Sequence, residues 1–136
     1  MTGSEQFEVL GSPFAQLVGP IRTTWEPTPT FKVTVRSECT NTMGRAHGGF
    51  LSALVDIAGG QGTKRLLGDN RSLVTISSNI EFLAPARLND EITVVVDVER
   101  DSPTEVVGSC LLSVEERIIA RASLIFSARE TTPPTT

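Results

Sequence analysis

Two hydrophobic periods alternate along this chain and divide it into elements. Phe31, Val33 and Val35 alternate with Lys32, Thr34 and Arg36, the period-2 pattern of a half-buried strand. From Gly48 to about Leu67 the period becomes helical. Stepping about 100° per residue from Asp56 puts Phe50, Leu51, Leu54, Val55, Ile57 and Ala58 on the far side. Gly49, Ser52, Ala53, Gly59, Gly60 and Thr63 fall within about 60° of Asp56. Gly68-Asp69-Asn70 closes this helix.

The flanks follow the same logic. Ser12 as N-cap, Pro13 at the first helical position and Gly19-Pro20 at the end frame a short helix. Residues 21–26 read as a strand stopped by Pro27 and Pro29. Val74, Ile76, Ile80 and Phe82 share one strand parity; Thr75, Ser77, Asn79 and Glu81 share the other, up to Pro85. Ile92 to Val98, Glu105 to Val114 and Ile118 to Ala128 form three long strands joined by short turns, an antiparallel meander. One long helix cannot cover both faces of a sheet. The order therefore predicts an α+β fold, a curved antiparallel β-sheet wrapped around one central α-helix. Residues 1–130 are expected to form a single domain, and residues 131–136, rich in Thr and Pro, a disordered tail.

Composition narrows the function. The net charge of −4 argues against nucleic acid as a partner, since phosphate contacts need a basic face. No run of 18 apolar residues exists, so no membrane-spanning helix is expected. The first twenty residues carry Glu5 and Glu8 without Lys or Arg, which does not read as a secretory signal. Cys39 and Cys110 read as free thiols of a cytoplasmic protein. With His47 the lone histidine, they match no common zinc spacing, so no metal is expected.

Two places stand out chemically. Asp56 sits among small residues, where a solvated face would carry Lys, Glu or Gln. Each internal Gly costs about 1 kcal/mol against Ala, so something approaches this helix closely: a chain, a strand or a ligand. Upstream lies Asn41-Thr42-Met43-Gly44-Arg45-Ala46-His47-Gly48-Gly49. Two glycines at a helix start expose N–H groups without intrahelical acceptors, at the positive end of the helix dipole. That geometry suits an anion or a polarised carbonyl oxygen, and equally a plain loop-to-helix turn.

Asn41, His47-Gly48-Gly49 and Asp56 nine residues after His47, followed by Asn79-Ile80-Glu81-Phe82-Leu83-Ala84-Pro85-Ala86, resemble the hotdog-fold acyl-CoA thioesterases of the PaaI-like (phenylacetyl-CoA-type) branch. The resemblance runs from about Phe14 to Ala128. It implies hydrolysis of an acyl-CoA thioester, with the substrate as the source of coenzyme A and no cofactor. Asp56 would activate water or attack the thioester, and burial would raise its pKa above the ordinary ~3.9. The Gly48 amide would bind the carbonyl oxygen, Asn41 would help polarise it or position the site, and Thr75 would hold the water. His47, Gly49 and Arg87 would bind substrate, His47 fixing the loop and Arg87 meeting CoA. Arg45, Lys64 and Arg65 are further candidates for the CoA phosphates. The resemblance also implies a homo-oligomer, a dimer or a dimer-of-dimers tetramer. Asn41 and Gly48 would come from one subunit, Asp56 and Thr75 from its neighbour, with the small face as their contact. The alternative is a non-catalytic acyl-CoA-binding hotdog protein.

Overall fold

A computed structural model describes residues 7–131. Seven strands form one antiparallel sheet: β1 (Glu8–Val9), β2 (Arg22–Thr24), β3 (Thr30–Thr34), β4 (Arg71–Phe82), β5 (Glu91–Asp101), β6 (Glu105–Val114) and β7 (Arg117–Glu130). Their spatial order is β1-β2-β3-β5-β6-β7-β4. Among the described residues two α-helices, α1 (Pro13–Val18) and α2 (Gly48–Leu67), and a 3-10 turn at Ser37–Cys39 complete the fold. Ser12 caps α1, its hydroxyl accepting from the Ala15 amide at 3.2 Å, and Pro13 opens the helix. The expected α+β architecture of a curved sheet around one long helix is what the chain adopts. The tail at 131–136 lies outside the described residues except Thr131, whose hydroxyl donates to the Asn70 carbonyl.

Helix α2 lies on the sheet with Phe50, Leu51, Leu54, Val55 and Ala58 buried. They meet the inward residues of the meander, among them Ile92, Val94, Leu112, Leu124 and Phe126. Gly68 ends the helix in the left-handed conformation at φ 66°, where a residue without Cβ is unstrained.

The small face divides. Gly59 and Thr63, expected at a subunit contact, are buried against this chain's own sheet. A Cβ on Gly59 would sit 2.9 Å from Leu124 Cδ1 and 3.3 Å from Cys110 Sγ. Gly62 is tighter: its Cβ would lie 2.7 Å from the Val96 Cβ. These glycines let the helix approach β5, β6 and β7. Their cost in helix propensity is offset by the apolar area that this approach buries. Gly62→Ala is therefore expected to destabilise by about 1–3 kcal/mol despite Ala's better propensity, because Val96 Cβ is tied to backbone and cannot step aside. A thermal melt checks this; a Tm equal to or above wild type would refute the close-packing account.

The strand parity expected for β4 fails at one residue. Thr75 pairs with Phe126 and Ser77 with Ile125, leaving Ile76 as a bulge. A bulge adds one residue and switches the outward set. Thr75 and Phe82, of opposite parity in the sequence, thus both face α2: Thr75 bonds Asp56, and the Phe82 ring lies 3.8 Å from where a Gly48 Cβ would be. β4 is also the edge of the sheet, and Val74 and Ile76 on it are about 60% exposed.

One buried guanidinium holds this edge strand. Arg71 donates to Asp69 Oδ2 at 2.9 Å, Asp101 Oδ1 at 2.8 Å and the Ser102 carbonyl at 2.8 Å. It holds Asp69's carboxyl below the usual carboxylate range by hydrogen bonding first and charge second. The Lys64 ammonium donates to the Asp69 and Arg71 carbonyls, tying α2 to the same corner.

Candidate active site

The sequence-predicted residues fall into two clusters on α2. The first surrounds its N-terminus. The Asn41 side-chain oxygen accepts from the Met43 amide at 3.0 Å and the Arg45 amide at 3.2 Å. Gly44, at φ 74°, completes this turn. Backbone bridges Thr40–Ala46 and Arg45–Arg87 pin the loop to the segment after β4. Asn41 thus spends its oxygen on its own loop, and its NH₂ remains as donor.

His47 is the N-cap of α2. Its Nδ1 accepts from the Gly49 amide at 2.8 Å, which places a neutral ring's proton on Nε2. This corrects the expectation for Gly49: its N–H is consumed by the cap and is not available to substrate. Gly48, at the first helical position, has no backbone partner among the described residues. Gly48 lines a concavity of about 370 Å³ together with Asn41, Arg45, Leu51, Phe82 and Leu83. Arg45 reaches this lining. Arg87 does not: its amide donates to Asp90 Oδ2 at 2.8 Å, and its side chain is exposed beside the loop. Arg65 stacks instead on Trp25, 4.8 Å from the ring centroid.

The second cluster is Asp56 with Thr75. The threonine hydroxyl donates to Asp56 Oδ1 at 3.0 Å. That leaves Oδ2 for a second donor such as water. The pair opens on a separate concavity of about 410 Å³, walled also by Ile57, Gly60, Gln61 and Lys64. Asp56 is exposed in the single chain. The dry surroundings expected for it are therefore absent from one protomer. Along α2, eight residues separate Gly48 from Asp56, about 12 Å of axis. One thioester carbonyl cannot touch both within one chain.

The cysteines do not belong to either cluster. Both are buried, and desolvation pushes the Cys110 thiol up to about 12 and raises Cys39. Both stay protonated near neutrality and are poor nucleophiles. Sequence reasoning missed the Arg71 clamp and the walls at Gly60 and Gln61. Only the small residues near Asp56 pointed toward the latter. Among the described residues no helix is long and apolar enough to cross a membrane, and no three His, Cys, Asp or Glu side chains converge as a metal site.

Comparison with known proteins agrees with this fold. Residues 43–120 match the family model of the thioesterase superfamily. A Pseudomonas aeruginosa relative, PA0474, named as a candidate esterase, is 30% identical over 131 residues, covering 93% of this chain and 97% of its own. Among solved structures, AziG of S. sahachiroi is 22% identical and superposes with a TM-score of 0.79, covering 88% of this chain and 98% of that one. A variant of the phenylacetic acid degradation protein PaaI of Thermus thermophilus is 19% identical, with a TM-score of 0.76 over 85% and 98% of the two chains. A hypothetical thioesterase of Streptococcus pneumoniae, solved with coenzyme A, is 24% identical, with a TM-score of 0.70 over 77% and 83%. These structures share the sheet-and-helix arrangement described above. By its family-model match and its 30% identical relative, the chain is a hotdog-fold member of the thioesterase superfamily.

Proposed function

We propose that the protein hydrolyses acyl-CoA thioesters at sites completed between two protomers. The observation that carries this reading is the Asp56–Thr75 pair opening on a concavity about 12 Å along α2 from the free Gly48 amide. Asp56 takes a proton from water as the water oxygen bonds the carbonyl carbon. The Gly48 amide and the Asn41 NH₂ hold the resulting oxyanion. The carbon–sulfur bond breaks, CoA leaves as thiolate and collects a proton, and the acyl group leaves as the carboxylic acid. Water is the second reactant, so the chemistry calls for no cofactor. Arg45 lines the oxyanion side and Arg87 stands next to it, both suited to the phosphates of CoA.

The edge strand supplies the means of joining the halves. Identical β4 strands can pair antiparallel about a two-fold axis. Centred near Asn79, that pairing keeps inward residues opposite inward residues and runs Thr75 of one protomer toward Phe82 of the partner subunit. Both positions face α2 because of the Ile76 bulge, so the Asp56 half then lies toward the partner's Gly48 half. The same closure would cover Asp56 and exclude water. The solved CoA complex of a structural neighbour is consistent with acyl-CoA as the ligand.

The test is hydrolysis of phenylacetyl-, benzoyl-, butyryl-, hexanoyl- and lauroyl-CoA, followed by thioester absorbance. Turnover of at least one is expected. Binding without turnover of any would replace the enzyme by a non-catalytic acyl-CoA binder.

A further inference from the structure

Among the described residues Arg71 is the one charged residue that is buried, at 9% exposure. Burying a guanidinium is a weak route to stability, since its desolvation offsets much of what its ion pairs return. What three well-placed acceptors do give is a fixed position. Those acceptors come from separate segments: Asp69 before β4, Asp101 at the end of β5, and the Ser102 carbonyl in the β5–β6 turn. Arg71 therefore reaches from the edge strand past β7 and β6 to the far turn.

The strand it starts needs such an anchor. β4 has a ladder on one side alone, and the Ile76 bulge interrupts that ladder directly after Thr75. The two-fold pairing centred near Asn79 does not help, because Arg71 to Val74 runs past the end of the partner's β4. Arg71, Leu73 and Thr75 share the face toward α2. Helix and strand then meet at two rungs. At one, the Lys64 ammonium donates to the Asp69 and Arg71 carbonyls; at the other, Thr75 donates to Asp56. Asp56 to Lys64 is about 12 Å of helix, and Arg71 to Thr75 about 13 Å of strand. With rails of equal length, fixing the first rung sets where Thr75 arrives at the second.

We propose that Arg71 is a positioning residue for the Asp56–Thr75 pair, fixing the height at which the threonine hydroxyl meets the carboxylate. The inference rests on the thioesterase reading of Asp56.

The experiment is a double-mutant cycle of Arg71→Met and Thr75→Val, with kcat per folded protein and KM measured well below the lowest Tm. Arg71→Met should lower kcat at least tenfold with KM within threefold, because small misplacements of a reacting group are costly. In the Thr75→Val background the same substitution should change kcat less than twofold, while lowering Tm as much as it does alone. A merely structural role would lower Tm and leave kcat per folded protein unmoved. That result, equal kcat losses in both backgrounds, or an unaltered kcat in Thr75→Val would overturn the proposal. If Arg71→Met does not fold, Asp101→Ala removes one anchor from a half-exposed position and should give the same coupling at threefold or more. If wild type hydrolyses no thioester, the catalytic reading fails, and the positioning is judged by the nuclear Overhauser contact between the Thr75 methyl and the Asp56 β-protons. Arg71→Met, or Asp101→Ala in its place, must weaken that contact; an unchanged contact would overturn the positioning as well.

Discussion

Asp56→Asn is expected to lower kcat by roughly 100-fold or more while leaving fold and acyl-CoA binding in place. Asn has nearly the shape of Asp, and its side-chain oxygen still accepts from Thr75, so the 3.0 Å contact survives. What disappears is the proton acceptor. Asp56 is exposed in the single chain and helical, so the substitution leaves the protomer's own packing in place. A reduced kcat with KM within a few-fold of wild type and an unchanged melting curve is the expected pattern. Turnover within tenfold of wild type would remove Asp56 from the mechanism.

Much of the fold was legible because local chemistry agrees with the global arrangement. The bounds of α2 came from the change of period at Gly48 and from Gly68-Asp69-Asn70 after its last turn, where the structure ends it too. The β5-β6-β7 meander came from alternation and turns, since each of its strands pairs with its neighbour in sequence. What was not legible is non-local. Strand β4 pairs with β7 across 38 to 59 residues, from Phe82↔Ala120 to Arg71↔Glu130, and no alternation pattern encodes that. The Ile76 bulge carries no compositional mark, yet it decides which β4 side chains face the helix. The small residues around Asp56 were visible, but their partners were not. Gly59 serves the sheet, whereas Gly60 serves open space, and a helical wheel cannot separate them. The same holds for the site: the family resemblance named Asn41, Gly48, Asp56 and Thr75, but only the structure places Asn41 and Gly48 at one concavity and Asp56 and Thr75 at another. Gly49 fell away because the His47 cap, invisible in sequence, takes its amide, and Arg87 stands outside the Gly48 concavity.

Gly48→Pro isolates the oxyanion donor in the same way that Asp56→Asn isolates the base. Proline is favoured at the first helical position, where its missing N–H has no intrahelical acceptor to lose. His47 precedes it at φ −67° and ψ 140°, the extended conformation that a following proline requires. A Cβ at Gly48 meets only the Phe82 ring, at 3.8 Å, an ordinary contact. The variant should therefore fold and melt like wild type, yet lose roughly 100- to 1,000-fold in kcat, the effect of deleting one oxyanion donor. Mixing it with Asp56→Asn under conditions of subunit exchange then tests where the site lies. If each site takes Asp56 from one protomer and Gly48 from the other, every mixed dimer contains one site with both groups intact. Equal amounts should recover about a quarter of wild-type activity, since about half of the dimers are mixed and each holds one working site of two. If both groups served a site within one chain, every chain would carry a defect and mixing would recover nothing. Recovery is thus impossible unless an intact Asp56 and an intact Gly48 from different chains meet at one carbonyl.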